Sequence, residues 1–178
     1  RNLHFSPDDI DYLRDLKLFD DDFLEYLRGF HFTGDIYAIP EGTIVFPREP
    51  LMKVIAPVME AQLLETAILN MINHQSLIAT KAARVVYAAR GDGVMEFGLR
   101  RAQGPDAGIY GARAAMIGGC IGTSNVLTGQ MFDVPVKGTH AHSWIMSFPD
   151  EYTAFKTYAQ LYPDACILLV DTYDVLKT

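Results

Sequence analysis

Arginine, hydroxyl and imidazole side chains collect between residues 97 and 144, in the strings FGLRR, GTSN and GTHAHSW. Arg100 and Arg101 follow Phe97-Gly98-Leu99. A planar guanidinium grips a carboxylate or phosphate at two points. Phe97 offers a flat apolar face on which an aromatic ring can stack. The plainer alternative is a surface ion pair beside a core phenylalanine. The run GGCIGTSN at 118–125 could turn backbone N–H groups toward an anion at a helix start. It could equally be a tight helix-to-strand turn. It has neither the Gly-Lys-Ser/Thr ending of a P-loop nor the dinucleotide fingerprint.

His140 and His142 stand two apart in a segment expected to be extended, which sends their side chains to opposite faces. That spacing disfavours joint chelation, and no acid or third histidine is close in sequence, so no metal site is expected. One imidazole can pack while the other faces a site as a general base or a nucleophile toward phosphorus. Asp171 ends the apolar run CILLV. A carboxylate there suits sugar hydroxyls or a hydrated Mg²⁺, or it caps a following helix.

These residues need elements to hold them. After the turn Gly91-Asp92-Gly93 the pattern predicts strands over 94–98, 121–124, 134–139 and 166–171. Helices are expected between them over 107–117, 125–132 and 150–160, with another from 172. Strands alternating with helices at this spacing argue for parallel βα units. Phe97, Arg100, Ser124, Thr139, His142 and Asp171 then fall where strands end, the edge at which α/β folds bind ligands. A barrel and an open sheet both fit. Upstream, Ser6-Pro7 opens a helix carrying Ile10, Leu13, Leu16 and Leu18 on a stripe. The acids at 20–22 open a second helix with Phe23, Tyr26, Leu27 and Phe30 on one face. Strands are expected over 35–39, 43–46 and 51–56, then a long helix over 60–90 with a bend near His74 and Gln75. The turn at 91–93 divides a small α+β domain, residues 1–92, from an α/β domain, residues 93–178.

The chain has 178 residues, 49% of them hydrophobic, which is enough for a sizeable core. Its 22 acidic residues outnumber 15 basic ones, for a net charge of −7 without any basic tract. Nucleic acid and anionic membrane surfaces are therefore not expected partners. No apolar run reaches about 20 residues, and no signal peptide is visible. Cys120 and Cys166 read as free buried thiols, which fits a reducing cytoplasm. Opening at Arg1 without a methionine, the chain reads as an excised piece.

In FGLRRAQGPDAG, ARAAMIGGCIGTSNVLTG, GTHAHSW and LLVDTYD the chain resembles bacterial nicotinate phosphoribosyltransferases, in order and spacing. The resemblance implies a type II phosphoribosyltransferase: an irregular TIM-like barrel, of which this chain holds the first βα units, joined to a smaller α+β domain. It implies synthesis of nicotinate mononucleotide and pyrophosphate from nicotinate and 5-phosphoribosyl-1-pyrophosphate, coupled to ATP hydrolysis, with Mg²⁺. A cytoplasmic homodimer with a shared active site is implied as well. On matching positions, His142 is the histidine transiently phosphorylated by ATP. Phe97 stacks on the pyridine, and Arg100, with Arg101 beside it, lies near its carboxylate and the pyrophosphate. Ser124 stands where the nicotinamide enzyme carries aspartate, and so favours the acid over the amide. Asp171 contacts ribose. Thr139 and Ser143 are pocket neighbours.

Family chains are far longer. By the same resemblance, a tyrosine motif that reaches the partner subunit would precede Arg1. The loops for the ribose 5-phosphate would follow Thr178. This piece alone is thus expected not to turn over. Quinolinate and nicotinamide phosphoribosyltransferases are the neighbouring alternatives. A noncatalytic nucleotide-binding or oligomerisation module is the alternative of another class.

Overall fold

A computed structural model describes residues 3–176, so the outermost ends of the expected domains, residues 1–2 and 177–178, lie outside it. The fold is mixed α/β. It parts into two compact units, Arg1–Ser76 and Leu77–Thr178.

In the first unit, α1 (Pro7–Asp15) starts at a capping box. Ser6 Oγ accepts the Asp9 N–H at 3.2 Å, and Asp9 Oδ2 accepts the Ser6 N–H at 2.8 Å. Two orphan donors of the first turn are satisfied in this way. The bonds from Ser6 hold the Asp9 carboxyl below the usual carboxylate range. Helix α2 (Asp21–Arg28) is capped by Asp20, whose Oδ1 accepts the Phe23 N–H at 2.8 Å. The acid run is therefore a helix start. Ile10, Leu24 and Leu27 are fully buried, with Phe5, Leu13, Phe23 and Leu63 packed on them. Phe19, Phe23, Tyr26 and Phe30 form a ladder of rings with centroids 5.5, 6.4 and 6.2 Å apart. The expected stripe is shorter than its sequence pattern. Helix α1 ends at Asp15 and Lys17 turns left-handed (φ 54°), which sends Leu16 and Leu18 outward.

Strands β1 (Asp35–Ala38) and β2 (Met52–Ile55) pair antiparallel, Asp35 opposite Ile55. The strand expected over 43–46 does not form. Ile44 and Phe46 are exposed, no strand among the described residues lies opposite them, and the segment is the tip of the β1–β2 connection. Helix α3 (Val58–Ala88) continues as helix through His74 and Gln75, and the division between the two units falls inside it.

The second unit carries a parallel ladder. Strand β3 (Met95–Glu96) pairs with β4 (Gly122–Thr123), and Thr123 bridges in parallel to Val136. Helix α4 (Pro105–Ile117) crosses from β3 to β4, and α5 (Val126–Phe132) leads on to the 136 segment. The inner side of α4 is built of Gly108, Gly111, Ala112, Ala114 and Ala115, all buried. At its end, a Cβ on Gly118 would lie 2.6 Å from the Ala79 carbonyl oxygen, so only glycine admits α3 that closely. Helices α6 (His142–Ile145) and α7 (Glu151–Leu161) follow, the latter capped by Asp150. Several expected strands shrink or vanish. Residues 134–139 contribute one bridge, and 166–171 contribute no strand and leave Ile167, Leu168 and Val170 exposed. No helix forms over 172–176. Both thiols are free, but neither is fully buried: Cys120 is half-buried and Cys166 is exposed. Burial, and behind it the nearby Glu96, pushes the Cys120 thiol up.

Glu60, 6% exposed, ties the approach to β1 onto α3. Its carboxylate accepts the Thr33 N–H at 2.7 Å and the Thr33 hydroxyl at 2.8 Å. The bond from the Thr33 backbone is the main reason that this carboxyl lies below the ordinary glutamate range. A lowered folded-state value stabilises above the unfolded glutamate range and is lost as pH falls through the folded value. Glu60→Gln is therefore expected to lower the thermal midpoint at neutral pH. The gap to wild type should close once pH drops below the folded-state value. Melting curves recorded from pH 7 to pH 3 check this, and a gap independent of pH would contradict it.

Candidate active site

The parallel ladder gives the site its edge. Ile121 N–H donates to Val94 O at 2.9 Å, Thr123 N–H to Pro135 O at 3.0 Å, and Lys137 N–H to Thr123 O at 3.0 Å. With these three segments aligned and parallel, the residues just beyond their C-terminal ends lie along one edge. Those residues are Phe97 to Arg101, Ser124 with Asn125, and the stretch from Lys137 to His142. In α/β folds this is the edge at which ligands bind.

Phe97 is 45% exposed, directly after β3, so its ring face is available for stacking. Arg100 and Arg101 are exposed on a single 3-10 turn, Leu99–Arg101. The turn closes on the Arg101 N–H donating to Gly98 O at 2.9 Å. Exposed guanidinium groups on a short, closed turn are free to meet an anion at low ordering cost.

The 118–125 run is not an anion cradle of backbone amides. Its N–H groups are already committed: Gly118 to Ala114 O, Gly119 to Met116 O, Cys120 to Ala115 O, and Ser124 to Glu96 O at 3.1 Å. Asn125 N–H donates to Thr123 Oγ1 at 3.0 Å, and Asn125 Oδ1 caps the Thr128 N–H at 3.2 Å. The plainer reading, a tight turn, is the observed one. What it presents at the edge is the half-buried Ser124 side chain.

One acid joins the first two segments, and the sequence reading passed over it. Glu96 Oε1 accepts the Gly98 N–H at 2.5 Å, and Glu96 Oε2 accepts the Thr123 hydroxyl at 2.6 Å. Thr123 is fully buried. A Cβ on residue 98 would lie 2.8 Å from Glu96 Oε1, so a side chain there would push the carboxylate off its seat. The only sequence signal is the acid two places before a glycine at a strand end. Its partner Thr123 is far along the chain and leaves no local pattern.

The two histidines take different roles, though not by strand alternation, because His142 is the first residue of α6. His140 packs among Trp144, Phe155 and Tyr158, with centroids 5.4, 6.0 and 4.7 Å away. Its Nε2 accepts the Leu169 N–H at 3.1 Å. That bond places the ring proton on Nδ1, which is buried and finds no acceptor among the described residues. His142 is half exposed. Its Nδ1 lies 3.2 Å from Thr172 Oγ1, and its Nε2 lies 3.7 Å from Asp171 Oδ1. Asp171 is therefore no helix cap here: its carboxylate stands beside an imidazole. Thr139 and Ser143 flank the pair, and both are exposed. Among the described residues, no three His, Cys, Asp or Glu side chains gather to hold a metal ion. No described helix is long and apolar enough to cross a membrane.

This arrangement can stack an aromatic ring, pair an anion with guanidinium, and hold an exposed imidazole between a hydroxyl and a carboxylate. It also separates the histidines by cost. His140→Ala should lower stability by roughly 2 kcal/mol or more, by stranding the Leu169 N–H and opening the ring cluster. His142→Ala should stay within about 0.5 kcal/mol of wild type. Denaturant unfolding of the full-length protein checks both values.

Two family models match most of the chain. The model of the nicotinate phosphoribosyltransferase N-terminal domain matches residues 1–73, and that of the nicotinate phosphoribosyltransferase family matches residues 93–176. Nicotinate phosphoribosyltransferase pncB2 of Mycobacterium tuberculosis is 52% identical over 97% of this chain and 37% of its own length. The nicotinate phosphoribosyltransferase of Bacillus subtilis is 52% identical over 99% of this chain and 36% of its own length. This chain thus spans little more than a third of those curated relatives. The crystal structure of human nicotinic acid phosphoribosyltransferase superimposes with a TM-score of 0.87 at 33% identity, over 98% of this chain and 45% of that one. On these matches, which together span both compact units, the chain belongs to the nicotinate phosphoribosyltransferase family.

Proposed function

We propose that the full-length protein joins nicotinate to 5-phosphoribosyl-1-pyrophosphate, giving nicotinate mononucleotide and pyrophosphate, with ATP hydrolysed alongside. The observation that carries this reading is the edge itself: an exposed ring, two guanidinium groups, a hydroxyl and an imidazole follow three parallel segments, and the Asp171 carboxylate stands beside the imidazole. Phe97 stacks on the pyridine. Arg100, with Arg101 beside it, pairs with the ring carboxylate and the leaving pyrophosphate. The pyridine nitrogen attacks the anomeric carbon as the bond to pyrophosphate breaks, through an oxocarbenium-like state. The protein's share is positioning and charge stabilisation. Asp171 and the exposed Thr139 and Ser143 serve the ribose and phosphate side.

His142 is the group that takes phosphate from ATP. A ring nitrogen attacks the γ-phosphorus, the bond to the ADP oxygen breaks, and water later returns the imidazole with release of phosphate. Both ring nitrogens have neighbours in Thr172 and Asp171, which fix the ring for that attack. The added charge and acceptor oxygens would reshape the adjacent pocket. Mg²⁺ is commonly held by one or two carboxylates and the substrate's own phosphates, and the half-exposed Asp171 fits such a set. When bound, it neutralises charge on the leaving pyrophosphate. The parallel βα order of the second unit suits the opening turns of an irregular TIM-like barrel. A homodimer with a shared site, working in the cytoplasm where free thiols persist, completes the reading.

Incubation of the full-length protein with γ-labelled ATP should leave an acid-labile label that His142→Ala abolishes; a label that survives in the variant rejects the assignment. Ser124→Asp should raise the KM for nicotinate by about tenfold or more, by setting a like charge against the ring carboxylate. It should also move preference toward nicotinamide in a competition assay. Unchanged preference would remove Ser124 from substrate choice.

A further inference from the structure

Glu96 holds none of the roles assigned so far, yet it bonds to both segments that would grip the pyridine acid. We infer that Glu96 is a positioning residue for the nicotinate site, locking the turn of Phe97 and Arg100 to the loop of Ser124. The inference rests on the roles proposed above for those three residues.

The geometry is specific. Glu96 and Thr123 face each other in the β3–β4 register. The side chain of Glu96 takes the Gly98 N–H at 2.5 Å and the Thr123 hydroxyl at 2.6 Å, while its backbone oxygen takes the Ser124 N–H at 3.1 Å. One residue therefore fixes the backbone of both the Phe97 turn and the Ser124 loop. Bonds to an ionised acceptor are roughly twice as strong as neutral ones. The Thr123 hydroxyl is itself aimed, because its oxygen also accepts the Asn125 N–H at 3.0 Å.

The amide of Glu96→Gln has a single acceptor oxygen. The Gly98 N–H cannot turn away, so the glutamine oxygen meets it and the amide nitrogen faces Thr123. The Thr123 hydroxyl, a donor to carboxylate in the native chain, must then rotate and leave its proton without that acceptor. The tie between turn and loop weakens while α4 and α5 keep their packing.

The test uses the full-length protein. Steady-state kinetics with each substrate varied separately would compare wild type, Glu96→Gln, Thr123→Val and Thr123→Ser. Glu96→Gln and Thr123→Val should raise the KM for nicotinate about fivefold or more, with the KM for the sugar diphosphate within about twofold. Thr123→Ser, which keeps the hydroxyl, should restore the wild-type value. Amide exchange at Gly98 and Ser124 should quicken about tenfold in Glu96→Gln, an effect that does not depend on the identity of the substrate. An unchanged nicotinate KM, equal rises in both KM values, or unchanged amide exchange would overturn the inference. If wild type makes no nicotinate mononucleotide while exchange quickens as expected, the functional reading fails and the structural tie survives.

Discussion

The candidate site hangs on a parallel ladder only two residues wide where β3 meets β4, with one further bridge at Val136. Parallel pairing is slightly weaker per residue than antiparallel pairing, and its strands need helices packed on them. Between β3 and β4 in sequence lies α4, whose Gly108, Gly111, Ala112, Ala114 and Ala115 are buried. The remainder of the restraint comes from side chains. Glu96 and Thr123 close across the ladder, Asn125 closes the start of α5, and the Thr128 hydroxyl reaches back to Ile109 O at 3.3 Å. Buried hydroxyls at the ladder therefore replace hydrogen bonds that a longer sheet would have supplied.

The second half of the site is held by different physics. His140 is wedged among aromatic rings and takes the Leu169 N–H, so it fastens the 166–171 segment without a strand pairing. That fastening leaves Asp171 and Thr172 against His142. One histidine thus packs and fastens the segment while its neighbour two residues on stays exposed beside Asp171 and Thr172. The pair works as a clip, with rings on one side and an exposed imidazole on the other.

Helices were legible because their ends carry local signals. Ser6-Pro7, Asp20 and Pro149-Asp150 each mark a start that the structure uses. Strands were harder to read. A β-like string such as residues 43–46 or 166–171 becomes a strand only if another segment pairs with it, and that partner is remote in sequence. The strand-end residues Phe97, Arg100 and Ser124 could be found because they follow short apolar runs. Glu96 and Thr123 could not, since their bond spans 27 residues and neither stands out locally. The amides of 118–125 misled for a related reason: a glycine-rich string shows that backbone is exposed to something, but not which acceptor already holds it.

The closeness of Gly98 to Glu96 has a consequence for how this chain can vary over evolutionary time. A side chain at 98 would displace the carboxylate, and without the carboxylate nothing at that point requires glycine. Glu96 and Gly98 should therefore be inherited as a unit, with Phe97 held between them in one orientation. A lineage that replaced either would be released to drift at the other, and the turn that carries Phe97 would have to be rebuilt on another anchor.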